Sequence, residues 1–439
     1  MRGHVSAPVG GRGALVLPHA ALAAVAVFLV LGTHMRIGGW NDASRLAMVE
    51  AIVEHGHLWV DGTHLSRFTG DVARIDGRFY SDKPPALAFF AVPVYAAQVA
   101  LGSTFRKNLP ETYYWTTLLT VGLTTLAGLV ALERFLRRTV PDPRWRAATI
   151  LALGLGTLNT AYSVTFSNHP PSATALLASL LLVWRWRRFG GGLASVAAAG
   201  ALIGIAALTD HAAVFYAPAF LVYLVWPGRA ERMAAGGVFA ITSALPLAGY
   251  AAYAIALTGS AVPLSLQKQI FEYPGSYFAA SGRLTGTGVA HASLRDLLAY
   301  AWLCLFGDRG LFSHTPLMLF VVGGIVLVAL DRSYPWRAEA AIVLGPTLAL
   351  VAYYLLTSTD PGGNSYGVRW YCLFIPMTYV FLADGYRALR FGVVRALFWA
   401  AYITSFPLAW IGALDPWLDP TRWGTGPSWV LVLRSRGWL

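Results

Sequence analysis

Charge is what this chain has least of. Only 12% of its 439 residues are Asp, Glu, Lys or Arg, against 56% hydrophobic, and the mean hydropathy is +0.55. A soluble domain averages roughly 25% charged residues, so a water-facing surface of ordinary extent cannot be built. Stretches without any of the four charged types recur at 13–35, 84–105, 147–184, 189–209, 233–267 and 310–330. A spanning helix needs about 20 apolar residues, so the composition predicts an all-α, polytopic transmembrane bundle. Cysteine is scarce too. Two residues, Cys304 and Cys372, exclude a disulfide scaffold, and their apolar settings favour buried small side chains over redox chemistry. The apolar runs are continuous rather than alternating, which excludes a transmembrane barrel.

What charge there is has one sign. The formal net charge is +12, but the basic residues sit beside apolar runs, so the positive-inside bias explains them and no nucleic-acid partner is expected. Basic clusters at 134–146, 185–188, 229–232, 332–337 and 387–395 punctuate spans near 14–33, 113–135, 147–166, 171–187, 193–209, 212–226, 234–257, 311–330, 339–357, 370–386 and 396–413. Arg2 and Arg12 precede the first span without a clear cleavage site, so an uncleaved helix with a cytoplasmic N-terminus is expected. Segments 84–102 and 294–306 resist a full crossing, which gives 11 helices and up to 13. The whole chain, 1–439, reads as one domain: a first helix (1–35), an extracytoplasmic loop (36–83), the bundle (84–413) and an extracytoplasmic tail (414–439). No internal repeat is found, which disfavours inverted-repeat transporters.

With that topology the informative polar residues gather on the outer side. A charge at mid-membrane costs about 2.5–3.5 kcal/mol on insertion scales, so residues kept at the boundary need partners. The long first loop starts Gly38-Gly39-Trp40-Asn41-Asp42-Ala43-Ser44-Arg45. Asn41 or Asp42 can cap a helix, and Leu46, Val49, Ile52 and Val53 follow at helical spacing until Gly56. An amphipathic helix along the membrane surface is expected, with Asp42 either a simple cap or a carboxylate that removes a proton from an acceptor hydroxyl. Further on, Asp76-Gly77 marks a turn between short extended pieces. Phe79-Tyr80-Ser81-Asp82-Lys83-Pro84-Pro85 then opens an apolar helix. Lys83 is thereby anchored at the membrane boundary, either snorkelling or holding the phosphate of a membrane-embedded lipid.

These residues resemble the GT-C glycosyltransferases, and within them the protein O-mannosyltransferase and lipid A aminoarabinose transferase group. The shared pattern is an acidic pair after the first helix and an acidic-Lys-Pro-Pro element closing the first outer loop. The match covers roughly 36–100; beyond that it is architectural. One acid of the pair is lost here: by spacing to Gly56 the positions fall on Asn41 and Asp42, and by anchoring on Arg45 they fall on Asp42 and Ala43. Both registers keep Asp42; otherwise the base comes from Asp82 or Asp61. Lys83 carries over as the carrier-phosphate contact, with Asp82 its acidic neighbour. Two further segments look like bacterial relatives of the group, 307–316 with Arg309 and 362–371 with Arg369, and each holds an arginine whose planar fork suits phosphate.

The resemblance implies a multi-pass enzyme of a bacterial inner membrane, its site facing the periplasm or exterior. It would move a monosaccharide from a polyprenyl-phosphate carrier to the hydroxyl of a glycan, lipid or protein acceptor, with inversion. Asp42 and Asp82 are the candidate catalytic carboxylates, and Arg45, Tyr80, Lys83, His169, Arg309 and Arg369 the candidate substrate contacts. No cofactor is expected. A divalent cation is conceivable, but no ligand spacing supports a site from His169, Asp210, His211 and His314. The competing readings are a lipid or sugar transporter or flippase, a scaffold or partner subunit, and a polysaccharide ligase using a diphosphate-linked donor.

Overall fold

The computed structural model describes residues 13–278, 289–419, 422 and 424–439. Arg2 and Arg12, which set the expected direction of the N-terminus, lie outside the described residues, as do parts of the outer segment 258–309 and of the tail 414–439. Helices make up 71% of the described residues. The first is α1 (Gly13–Gly32) and the second α2 (Trp40–Glu50), which runs on through a wider turn, Ala51–His55, to Gly56 in the left-handed conformation (φ 71°). The hairpin follows: β1 (Val72–Ile75) pairs antiparallel with β2 (Arg78–Ser81) across Asp76 and Gly77, both at positive φ as a tight two-residue turn demands. Pro84 and Pro85 then lead into α3 (Ala86–Ala100).

Eleven passes run between two ends of the bundle among the described residues: α1, 109–139, 143–162, 169–189, 193–209, 211–225, 230–258, 311–330, 337–357, 369–388 and 392–414. Four of these, Leu109–Thr139, Ala230–Thr258, Arg337–Thr357 and Gly392–Leu414, are single helices long and apolar enough to cross a membrane. Several others are apolar but broken. The pass 143–162 is interrupted at Gly156 and 311–330 at Pro316, while Asp210 marks the turn between 193–209 and 211–225.

One end is stitched by basic residues. Arg137 and Arg146 converge on the buried Glu133, Arg188 on the fully buried Glu339, and Arg387 on Asp384. Arg137 also reaches His19 at the start of α1, whereas Tyr114 donates to the Val30 carbonyl at its end, so α1 and 109–139 are antiparallel. The two doubtful segments do not cross. The far end of α3 returns to the start of 109–139 through Gln98 Nε2 to Thr116 Oγ1 (2.9 Å) and Ser103 Oγ with Thr112 Oγ1 (2.9 Å). Helix Leu294–Leu305 stays beside the 355–360 turn, to which His291 and Tyr300 are bonded. Both therefore lie at the end opposite the basic clusters, as the charge pattern requires.

Helix α2 is not laid on a surface. Residues 41–50 are all buried, enclosed by the hairpin, α3 and the 57–71 loop. Glu50, at the end of α2, accepts backbone N–H groups from His64 (2.6 Å) and Leu65 (3.0 Å). The amphipathic pattern is real, and its two acids part ways: Glu50 is turned to loop backbone, whereas Glu54 is exposed.

Candidate functional site

The site is built around the first turn of α2. Gly39 is the N-cap, ahead of the cap expected at Asn41 or Asp42, because Gly38 and Gly39 press against the indole of Trp417. A Cβ at position 38 would lie 2.2 Å from that ring, so only glycine lets the chain pass. Asp42 is thereby freed from capping and turned into the protein. Its Oδ2 accepts from Tyr113 Oη (2.7 Å), Thr165 Oγ1 (2.9 Å) and the Gly38 N–H (3.3 Å), while Oδ1 is buried with no partner. Trp417 Nε1 donates to the same Thr165 Oγ1 (3.1 Å), tying the tail to the carboxylate. Burial pushes Asp42 up to about 6, against the opposing pull of the Tyr113, Thr165 and Gly38 donors and of Arg45. At neutral pH the group is an anion with more basicity than an exposed carboxylate.

Cations surround it. Arg45, 2% exposed, donates through Nη1 to the Asn41 carbonyl (3.2 Å) and to the Asn41 side chain, and its Nε is buried without a partner. Burial lowers it to about 10, and Asp82, Asp42 and Asp71 act on it in the opposite direction, so it remains charged. Lys83 Nζ lies 2.8 Å from Asp71 Oδ2 and 3.1 Å from Asp82 Oδ2. Asp71 is itself fixed through its carbonyl, which accepts from Ser44 Oγ (2.6 Å), and Ser44, on α2, bonds Ser81 at the end of β2 (2.7 Å). Burial raises the Asp82 carboxyl, with Lys83 pulling it down, and its Oδ1 has no partner. Arg369 stacks its guanidinium 4.9 Å over the Trp417 ring, leaves Nε unbonded, and acts electrostatically on both Arg45 and His169.

The structure thus brings Asp42, Arg45, Asp82, Lys83 and Arg369 to one end of the bundle. Three other candidate residues are turned to other partners, although His169 stays within electrostatic reach of Arg45 and Arg369. Tyr80 turns into an apolar cluster with Leu264, Ile270 and Phe271, the opposite side of β2 from Ser81. Arg309 spends its guanidinium on the Ser365 carbonyl and Ser428 Oγ (3.4 Å), and its own carbonyl accepts from Val368 N (3.0 Å); it shapes the loop that carries Arg369. His169 Nδ1 pairs with Asp210 Oδ2 at 2.9 Å, both buried. His211 and His314 bond the Ala207 and Gly310 carbonyls. Among the described residues no three His, Cys, Asp or Glu side chains group as metal ligands. Both cysteines are buried and unpaired. Sequence reasoning missed Tyr113, Thr165 and Trp417, which hold Asp42, and Asp71, which holds Lys83.

No protein-family model matches this sequence, and no curated protein matches it. Solved structures do share its fold. The apo oligosaccharyltransferase of Archaeoglobus fulgidus superposes with a TM-score of 0.58 at 14% identity, over 93% of this chain and 57% of that one. The same organism's oligosaccharyltransferase AglB, in complex with an inhibitory peptide and a dolichol-phosphate, gives 0.57 at 15% identity over 94% and 57%. ArnT from Cupriavidus metallidurans bound to undecaprenyl phosphate gives 0.52 at 16% identity over 87% and 61%. The chain therefore spans about three fifths of the length of the structures it matches. The likeness shows that this chain shares the helical fold of these structures, four of its helices being long and apolar enough to cross a membrane.

Proposed function

We propose that this chain is a membrane glycosyltransferase that moves one sugar from a polyprenyl monophosphate to an acceptor hydroxyl at the end of the bundle opposite the basic clusters. One observation carries the reading: a buried carboxylate with an unpartnered oxygen, Asp42 Oδ1, sits among cations that keep donors to spare, on a fold shared with structures that hold dolichol-phosphate and undecaprenyl phosphate. An isolated buried carboxylate is costly, so its retention beside Arg45 is the mark of a site.

The chemistry follows from the charges. The donor's tail stays in the bilayer and its phosphate meets Lys83, Arg45 and Arg369. These cations stabilise the charge that grows as the anomeric C–O bond breaks. Asp42 takes the acceptor proton, the acceptor oxygen forms the new bond to the anomeric carbon from the opposite face, and the lipid phosphate leaves with the bonding pair. The configuration inverts. No general acid is required, because the leaving group departs as a stable anion. Asp82 and Asp71 pair with the Lys83 ammonium and hold it in place, which leaves Asp42 to take the proton. We place the enzyme in a bacterial inner membrane with its site facing outwards, in keeping with the basic clusters at the other end.

The test is proteoliposomes loaded with labelled polyprenyl-phosphate sugar. Release of free lipid phosphate with a glycosylated product supports the reading. Movement of intact donor across the bilayer without bond cleavage makes the protein a transporter, and turnover with a diphosphate-linked donor alone makes it a different transferase.

A further inference from the structure

Outside the charged cluster a cavity of about 500 Å³ opens between the first loop and the 273–277 turn, within the usual size of small-molecule sites, roughly 300–1,000 Å³. Its walls are aromatic. Trp40 (44% exposed) meets Tyr277 (42% exposed) edge to face at 5.2 Å, and Phe79 meets Tyr273 in the same way at 5.3 Å. Its floor is polar. Asp61 Oδ2 accepts from the Phe79 N–H at 2.7 Å, which orients the carboxylate, and Thr69 Oγ1 donates to the Trp40 carbonyl at 2.9 Å.

Trp40 is held in place. A Cβ on Gly70 would lie 2.8 Å from the indole, so the absence of a side chain there lets the ring lie flat against the loop. Trp40 and Asp42 are neighbours on the first turn of α2 and leave it on different sides, since residues two apart do not share a helix face. The wall between the cavity and the Lys83 cluster is the short stretch Thr69-Gly70-Asp71, whose last residue pairs with Lys83.

We infer that this cavity is a carbohydrate subsite for the acceptor, binding the sugar ring next to the one whose hydroxyl is glycosylated; the inference rests on the transferase reading and narrows its acceptor to a glycan. Aromatic faces present a flat, weakly polarised surface to the C–H groups of a sugar ring, and the Asp61 carboxylate accepts from the ring hydroxyls. A lipid tail would gain nothing from a carboxylate and a threonine hydroxyl on the floor. A peptide would need a row of backbone partners, and the outer edge of β2 beside the cavity is already engaged, the Val60 N–H donating to the Phe79 carbonyl and the Phe79 N–H to Asp61.

The test separates this subsite from the transfer chemistry. The full chain in nanodiscs, free of sugar detergents and of lipid-linked donor, is examined by saturation-transfer NMR against methyl glycosides of mannose, glucose, galactose and arabinose, and against the corresponding disaccharides. At least one disaccharide should receive saturation, lose it in Trp40→Ala, Tyr277→Ala and Asp61→Asn, and keep it in Asp42→Asn. Tyr277→Ala and Asp61→Asn serve if Trp40→Ala does not fold. In turnover, Asp61→Asn should raise the acceptor KM about tenfold, the scale of a lost charged hydrogen bond, with kcat and donor KM unchanged. Saturation that is absent for every sugar, or unaltered in all three cavity variants, overturns the subsite. Binding with this pattern but no transfer from any donor leaves the subsite standing and overturns the transferase reading.

Discussion

Replacing Asp42 with Asn should make the protein inactive and, at neutral pH, more stable. Burial lifts the carboxyl from 3.8 to about 6, roughly two units at 1.36 kcal/mol each, so holding the anion in place costs about 3 kcal/mol. The sign follows from linkage. A carboxyl with a raised folded-state pKa binds its proton more tightly when folded, so stability is full below about pH 4, falls between there and about pH 6, and is flat above. Asparagine keeps an oxygen for Tyr113, Thr165 and the Gly38 N–H and places its amide where Oδ1 has no partner, without the charge. Thermal unfolding of both proteins in one detergent, at about pH 4 and about pH 7.5, is the assay. The variant should melt a few degrees higher at pH 7.5, and the gap should close at pH 4. A variant that melts lower at pH 7.5, or by a margin that ignores pH, would refute the reasoning that Asp42 is a strained anion retained for its chemistry.

The remaining predictions concern what holds the cluster. Tyr113→Phe and Thr165→Val each remove a donor that favours the anion, so the acidic limb of the pH–rate profile should move to higher pH, with the protein still folded by circular dichroism. Lys83→Ala should raise donor KM and lower kcat together by at least tenfold, since the cation acts on a charge that grows in the transition state, while Lys83→Arg recovers part of both. Gly38→Ala forces a methyl into the Trp417 indole and should cost about 1–3 kcal/mol as an overpacked site, measured by thermal unfolding, with loss of transfer because Thr165 and Arg369 both lean on that ring.

Local features were readable from the sequence because they are decided locally. Gly56 ends the α2 run, Asp76-Gly77 turns the hairpin and Pro84-Pro85 starts α3, each through its own backbone geometry. The passes were equally legible from apolar length and flanking arginines, whereas the pattern left open whether 84–102 and 294–306 cross, which contacts between distant segments decide. What could not be read is what long-range packing decides. Tyr113 and Thr165 lie 71 and 123 residues from the carboxylate they hold, and Trp417 lies 252 beyond Thr165; no spacing joins them. The cap expected at Asn41 or Asp42 moved to Gly39 because Trp417 fits only against bare glycine. Tyr80 and Lys83 are close in sequence, yet strand alternation turns Tyr80 into an apolar cluster, and Arg309 is drawn off by the loop carbonyl of Ser365.

The central claim is that Asp42, poised by burial beside the Lys83–Arg45–Arg369 cations, removes the acceptor proton as the sugar leaves a lipid phosphate. Single-turnover transfer from polyprenyl-phosphate sugar, followed from about pH 5 to about pH 8 in the wild-type protein and in Asp42→Asn, tests it most directly. The rate should climb with pH to a plateau whose midpoint is about 6, and the variant should show neither plateau nor climb. Transfer by Asp42→Asn at the wild-type rate, or a wild-type rate indifferent to pH across that range, would contradict it.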